Sequence, residues 1–317
     1  MLIWSLFLLM IGIFLALDLG VFNKNAHEIS YKEASRWTLI WTSIGISFSA
    51  IVYLIYLNGW LDGSAKTTNP MTASIEYLTG YIIELTLSID NIFVIAMIFK
   101  SFKIPLKYQH RVLFWGILGA LFFRGIMIFF GVVLIEKFTW TTYIFGAFLI
   151  FTALKMLFGD EEEEFDPKQS IVYKTVRKLI PVTNRIDGQK LFISRRGLTI
   201  ATPLFLALIL IELTDVLFAL DSIPAILGIT TDPFLVFTSN IFAILGLRSM
   251  YFFVANMLDS FYYLKYSLVV ILTYVGIKLI LANHFHLPLA LSLGLIAVSI
   301  AAGIFFSLKY KEDHTKH

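Results

Sequence analysis

An all-α, polytopic membrane helix bundle of about nine transmembrane helices, with two inverted three-helix repeats inside it, is the fold class this sequence predicts. Three observations carry that expectation. Hydrophobic residues make up 58% of the 317 and charged residues 15%, with a mean hydropathy of +0.81, a balance outside the range of soluble domains. The apolar residues gather into runs of about 20, the length that crosses a bilayer core as a helix. One acidic motif occurs twice inside those runs.

In chain order, the runs cover residues 2–22, 37–57, 75–99, 113–135, 141–158, 200–229, 234–256, 264–282 and 287–308. The first lacks a basic leader and a small-residue cleavage site, and reads as a retained helix rather than a signal peptide. It forms an N-terminal pair with the second (1–57). The next three make a first repeat (75–158), and after a polar loop (159–198) three more make a second (200–282). A last helix (287–308) follows. The loop opens on DEEEEFD from Asp160, read as a solvated acidic run. It continues into KQSIVYKTVRKLIPV, where Ile171, Val172, Val176, Leu179 and Ile180 suit a short amphipathic helix on the cytoplasmic surface.

Basic residues orient the bundle. Lys24, Lys32, Arg36, Lys100, Lys103, Lys107, Arg111, the basic residues of loop 168–196, Lys265 and the C-terminal lysines fall on one side under a nine-helix threading, against Lys66 and Lys137 on the other. The positive-inside bias then places the N-terminus outside and the C-terminus inside.

The duplicated motif is ELTLSIDNIFVI from Glu84 and DVLFALDSIPAI from Asp215. It sets Glu84 over Asp215, Asp90 over Asp221 and Asn91 over Ser222. The third helix enters from outside and the sixth from inside, so the copies are inverted, and an odd number of helices per unit is what that requires. Two echoes follow: GILG at Gly116 with AILG at Ala243, then Lys155 with Lys278. A charge at mid-bilayer costs about 2.5–3.5 kcal/mol on insertion scales, which makes such acids a site before they are decoration.

The donors narrow the ligand. Carboxylates with Asn91, Ser222, Thr86 and Thr214 are hard oxygen ligands suited to magnesium, calcium or manganese, which these residues do not separate. There is no cysteine, and the six histidines fall outside the expected helix cores, against a thiolate or histidine-built metal site. Residues six apart do not share a helix face. Pro224 is expected to break the sixth helix beside Asp221, so that the acids converge. Arg124, Arg248, Glu212, Asp18, Lys155 and Lys278 are the charge-pairing or gating candidates: the arginines as staples to the acids, the lysines as snorkelling groups, Asp18 as a hydrated end residue, Glu212 as ligand, proton acceptor or arginine partner.

These segments, with LALDLGVF at Leu15, QHRVLFWGILGALFFR at Gln109, FGAFLIFTALKM at Phe145 and TSNIFAILGLRSMYF at Thr238, resemble the TerC family of integral membrane proteins, within the LysE-type exporters. The resemblance spans most of the chain. It implies an inner-membrane protein of metal-ion homeostasis, with manganese export as its best supported activity and tellurium resistance as the historical name. The family's acidic motifs fall on Glu84, Asp90, Asn91, Asp215, Asp221 and Ser222. Only Leu85, Thr86 and Leu87 depart from the commoner spelling.

The expected function is export of a divalent cation, Mn2+, by alternating access, with proton coupling through the carboxylates. The expected partners are that ion and membrane lipid, with no organic cofactor and no nucleic acid. Asp90 and Asp221 are expected to hold the ion, assisted by Glu84, Asp215, Asn91 and Ser222. Two rivals stay open: an accessory metal-binding protein docked at the secretion machinery, and an exporter of anions or amino acids using Arg124 and Arg248. No nucleophile and base pair or phosphate loop points to an enzyme.

Overall fold

The computed structural model describes residues 2–17, 29–61, 69–138, 140–158, 173–175, 178, 180–183, 185–195, 198–254, 263–281 and 289–309. Among them are nine helices of sixteen residues or more: α1 (Leu2–Leu17), α2 (Tyr31–Leu57), α3 (Pro70–Ser101), α4 (Leu106–Lys137), α5 (Thr141–Phe158), α6 (Pro203–Leu227), α7 (Pro233–Val254), α8 (Leu264–Leu281) and α9 (Leu289–Lys309). Large apolar side chains cover the outside, Phe122 and Phe129 at 63% and 64% exposure and Val298 at 69%. Such a surface suits hydrocarbon and not water. Six helices, α2 to α7, are long and apolar enough to cross a membrane. This is an integral, multi-pass, all-α membrane protein.

Several helices start earlier than hydropathy alone indicates, because hydropathy reads the lipid-crossing part and caps read the helix. Ser30 accepts a hydrogen bond from the Glu33 amide and starts α2 six residues ahead of the apolar run. Asn69 caps α3 with Pro70 in its first turn. His110, expected outside the helix cores, lies in α4 and is buried. In the other direction, residues 200 and 201 are not helical. They belong to β2 (Leu198–Ala201), which pairs antiparallel with β1 (Phe192–Arg195), and Pro203 then opens α6. The hairpin replaces part of the expected plain loop. The expected amphipathic helix and acidic run lie largely outside the described residues, where only Tyr173–Thr175 and Lys178 are described as helical.

Packing runs across the chain rather than along it. α3 packs on α7 and α6, and α4 packs on α6 and α7, whereas α4 and α5 touch little. α7 is the central helix, with 89% of its span buried. α1 lies against α2 and α7 through Phe7, whose ring meets Phe48, Phe234 and Phe242.

α5 and α8 make the most extensive helix pair, and the reason is two glycines. A Cβ on Gly146 would stand 2.6 Å from the Gly276 carbonyl oxygen and the same from Ile280. A Cβ on Gly276 would stand 2.8 Å from the Gly146 carbonyl oxygen and from Ile150. The contact is reciprocal, matching Gly146 with Gly276 and Ile150 with Ile280. It therefore corrects one sequence echo: Lys155 lies nine residues past its glycine and Lys278 only two, so the lysines hold unequal places.

Candidate ion-binding site

The site centres on Arg124, near the middle of α4 and 1% exposed. A lone guanidinium is not tolerated there, and three helices answer it. Asp215 of α6 accepts from Nη2 at 2.8 Å and from Nε at 3.1 Å, a fork-to-fork pair. Glu84 of α3 accepts from Nη1. Asn240 of α7 and Ser222 of α6 accept from the same nitrogen at 3.1 and 3.4 Å. The acids that open the two motif copies thus meet on one cation.

Beside this cluster lies a cavity of about 140 Å3 lined by Glu84, Leu87, Asn91, Thr152, Met156, Phe218, Asp221, Ser222 and Leu272. Glu84 and Asn91 are 1% and 5% exposed, yet Glu84 Oε2 and Asn91 Oδ1 have no hydrogen-bond partner among the described residues. Asp221 Oδ1 accepts from Thr152 Oγ1 at 3.0 Å. A smaller cavity of about 20 Å3 adjoins Asp215 and Thr214, and Asn91 and Phe218 line both. Those two side chains are the partition between the chambers.

The remaining expected residues fall as follows. Asp90 stands on α3 next to Asn91, and its side chain lies outside the described residues, as does all of Asp18. Arg248 is buried in α7, two turns past Asn240, about 12 Å along the helix at 1.5 Å per residue. It is therefore at another depth from Arg124. Glu212, one turn before Asp215, presses its carboxylate against Gly119 of α4, and its Oε2 is without a partner among the described residues. Lys155 is exposed on α5, while Lys278 donates to Ser292 at 3.2 Å. The Thr86 and Thr214 hydroxyls bond carbonyls of their own helices.

One expectation is corrected. α6 runs unbroken through Pro224 to Leu227. The proline withholds the amide that would have met the Leu220 carbonyl, yet the helix continues past it, so Asp221 reaches the cavity from a continuous helix. Sequence reasoning missed Thr152, Asn240 and Phe218. It also missed Glu76, near the start of α3. A polar residue in an apolar helix was the available signal for Asn240.

A family model described as "Integral membrane protein TerC family" matches residues 70–315. "Uncharacterized membrane protein STKORF319" of Myxococcus xanthus is 46% identical over 306 residues, 96% of this chain and 92% of that one. "Putative membrane-bound redox modulator Alx" of Escherichia coli strain K12 is 44% identical over 298 residues, covering 93% and 90%. An "Uncharacterized membrane protein" of Rickettsia bellii is 43% identical over 305 residues, 96% of each. No solved structure matches the chain.

Proposed function

This chain belongs to the TerC family of integral membrane proteins, and on that footing we propose that it is a secondary transporter exporting a divalent cation, Mn2+, by alternating access. The observation that carries the reading is the 140 Å3 cavity lined by Glu84, Asn91, Asp221 and Ser222, two of which hold a buried oxygen, Glu84 Oε2 and Asn91 Oδ1, without a partner among the described residues. A buried polar atom left unpaired costs about 1–3 kcal/mol, a cost that a bound cation would remove. Hard oxygen donors suit manganese, magnesium and calcium alike. The family resemblance points to manganese among them.

The moving parts are α3–α5 and α6–α8, acting as two inverted units, with the N-terminus outside and the C-terminus inside an inner membrane. Supporting this reading are the reciprocal glycine contact between α5 and α8, the meeting of Glu84 and Asp215 on one arginine, and the matched pairings of α3 with α7 and α4 with α6. Protonation of a carboxylate in the empty cavity would couple efflux to proton entry.

Against the anion-exporter rival, all three Arg124 nitrogens already face protein acceptors. The redox role in one relative's name has no cysteine thiol to act through in this chain.

The test is Mn2+ flux in liposomes holding the purified protein. Wild type should move Mn2+ faster under an inward proton gradient, and Asp90→Asn and Asp221→Asn should each lower flux by about tenfold or more, the scale on which metal sites respond to lost support. Mn2+ binding without flux would favour the accessory protein. Flux indifferent to pH would remove the coupling.

A further inference from the structure

Arg124 shares its partners with the cavity. Glu84 and Ser222 accept from its Nη1 and also line the 140 Å3 chamber, while Asp215, which takes its Nε and Nη2, lines the adjoining one. The guanidinium is 1% exposed and the Asp215 side chain 13%. Carboxylates this deeply buried are costly unless a charge partner answers them. In the structure, Arg124 does this.

We propose that Arg124 is the carrier's own stand-in cation, competing with the cargo for Glu84. This rests on the transport reading above and adds to it the step by which the empty carrier resets. With a divalent ion in the cavity, Glu84 turns its carboxylate from Nη1 toward the ion, and Arg124 stays anchored on Asp215 and Asn240. When the ion leaves, Nη1 reclaims Glu84 and Ser222. The empty site is then neutralised without cargo and can return across the membrane.

Two details fit a competitor better than a plain staple. The Asp215 side is a two-point anchor, whereas the Glu84 side is held by one nitrogen that also serves Asn240 and Ser222. Glu84 keeps its second oxygen free of any hydrogen bond among the described residues, on the residue that faces the chamber. Coupling of this kind is reciprocal: whatever the ion takes from Arg124, Arg124 takes from the ion.

The experiment measures exchange and net efflux in proteoliposomes, with Mn2+ as the probe, for wild type, Arg124→Gln and Arg124→Lys. A parallel thermal-unfolding series in detergent uses each protein with and without Mn2+. The expected result is that Arg124→Gln keeps Mn2+/Mn2+ exchange but loses net efflux, because its empty form cannot return. Mn2+ should bind it about fivefold or more tightly, in the usual range of site coupling, and raise its unfolding temperature more than that of wild type.

Lysine keeps the charge but not the fork. Arg124→Lys should therefore retain the fold and lie between the two in its ratio of net efflux to exchange. If Arg124→Gln does not fold, that lysine ratio decides. A ratio equal to wild type, or exchange and net efflux falling together with no gain in Mn2+ affinity, overturns the proposal and leaves Arg124 a structural staple. Wild type with neither Mn2+ exchange nor a Mn2+-dependent thermal shift overturns the transport reading, and this inference with it.

Discussion

Two sets of buried acids in this bundle have opposite kinds of partner. Glu84 and Asp215 close on a guanidinium, from α3 and α6, near the middle of the bundle. Asp221, six residues along α6 from Asp215, takes a hydroxyl hydrogen bond from Thr152 and faces a cavity. The first set is neutralised by the protein. The second has no bonded cation among the described residues, only the Thr152 hydroxyl and the more distant Lys155 charge. Acids of one motif thus tie helices together at one level and, in the function proposed above, meet the ligand at the next.

The largest effect should come from breaking the first set. Asp215→Ala strips two nitrogens of Arg124 of their acceptor and should cost about 3–5 kcal/mol of stability, as removal of one partner of a buried pair does. Thermal unfolding in detergent reads it. A loss below about 1 kcal/mol would erase the distinction between the two levels.

Next comes Asp221→Asn, which should leave stability within about 1 kcal/mol of wild type, in the range of a tolerated substitution. Its Mn2+ affinity, by titration calorimetry, should fall about tenfold or more. Unfolding of this variant with Mn2+ affinity intact in the folded fraction would reverse the two roles.

The packing of Glu212 lies between these in kind. A Cβ at position 119 collides with the Glu212 carboxylate, so Gly119→Ala should cost about 1–3 kcal/mol, as overpacking does. Glu212→Ala in the same chain should recover part of it, with a coupling of at least about 0.5 kcal/mol in a double-mutant cycle. Additive losses would show that the two residues do not press on each other.

The smallest effect belongs to Thr152→Val, which removes one hydroxyl hydrogen bond to Asp221. Mn2+ affinity should change by less than about tenfold, in line with about 0.5–1.5 kcal/mol for such a bond. A loss as large as that of Asp221→Asn would make Thr152 a ligand in its own right.

Much of this was legible in the sequence because the membrane writes strongly. Apolar runs located all nine helices, with α5 at its observed bounds, since a lipid-crossing helix has no other composition available. The acidic motif located Glu84, Asp215, Asn91, Asp221 and Ser222, all of which line one or both chambers. The helix starts of α2, α3 and α4 were less legible, because their first turns carry polar residues and are announced by caps such as Ser30 and Asn69.

What could not be read was which helices face each other. Arg124 and Arg248 look equivalent in sequence, and only the structure shows that Arg124 takes both motif acids, Asp215 from α6 and Glu84 from α3. Asn240 and Thr152 acquire meaning only when α7 and α5 are set against the site. Pro224 takes one amide from the ladder, but α6 stays continuous past it to Leu227, so a proline in the sequence did not by itself give the helix's path.

The central claim is that the chamber beside Arg124 holds the cation. An anomalous-difference map from crystals grown with Mn2+ tests it most directly. The account predicts a single strong peak inside the membrane span, within coordination distance of Asp221 and Asn91. A map whose peaks fall only on the protein surface, with that chamber blank in fully Mn2+-equilibrated crystals, would contradict it.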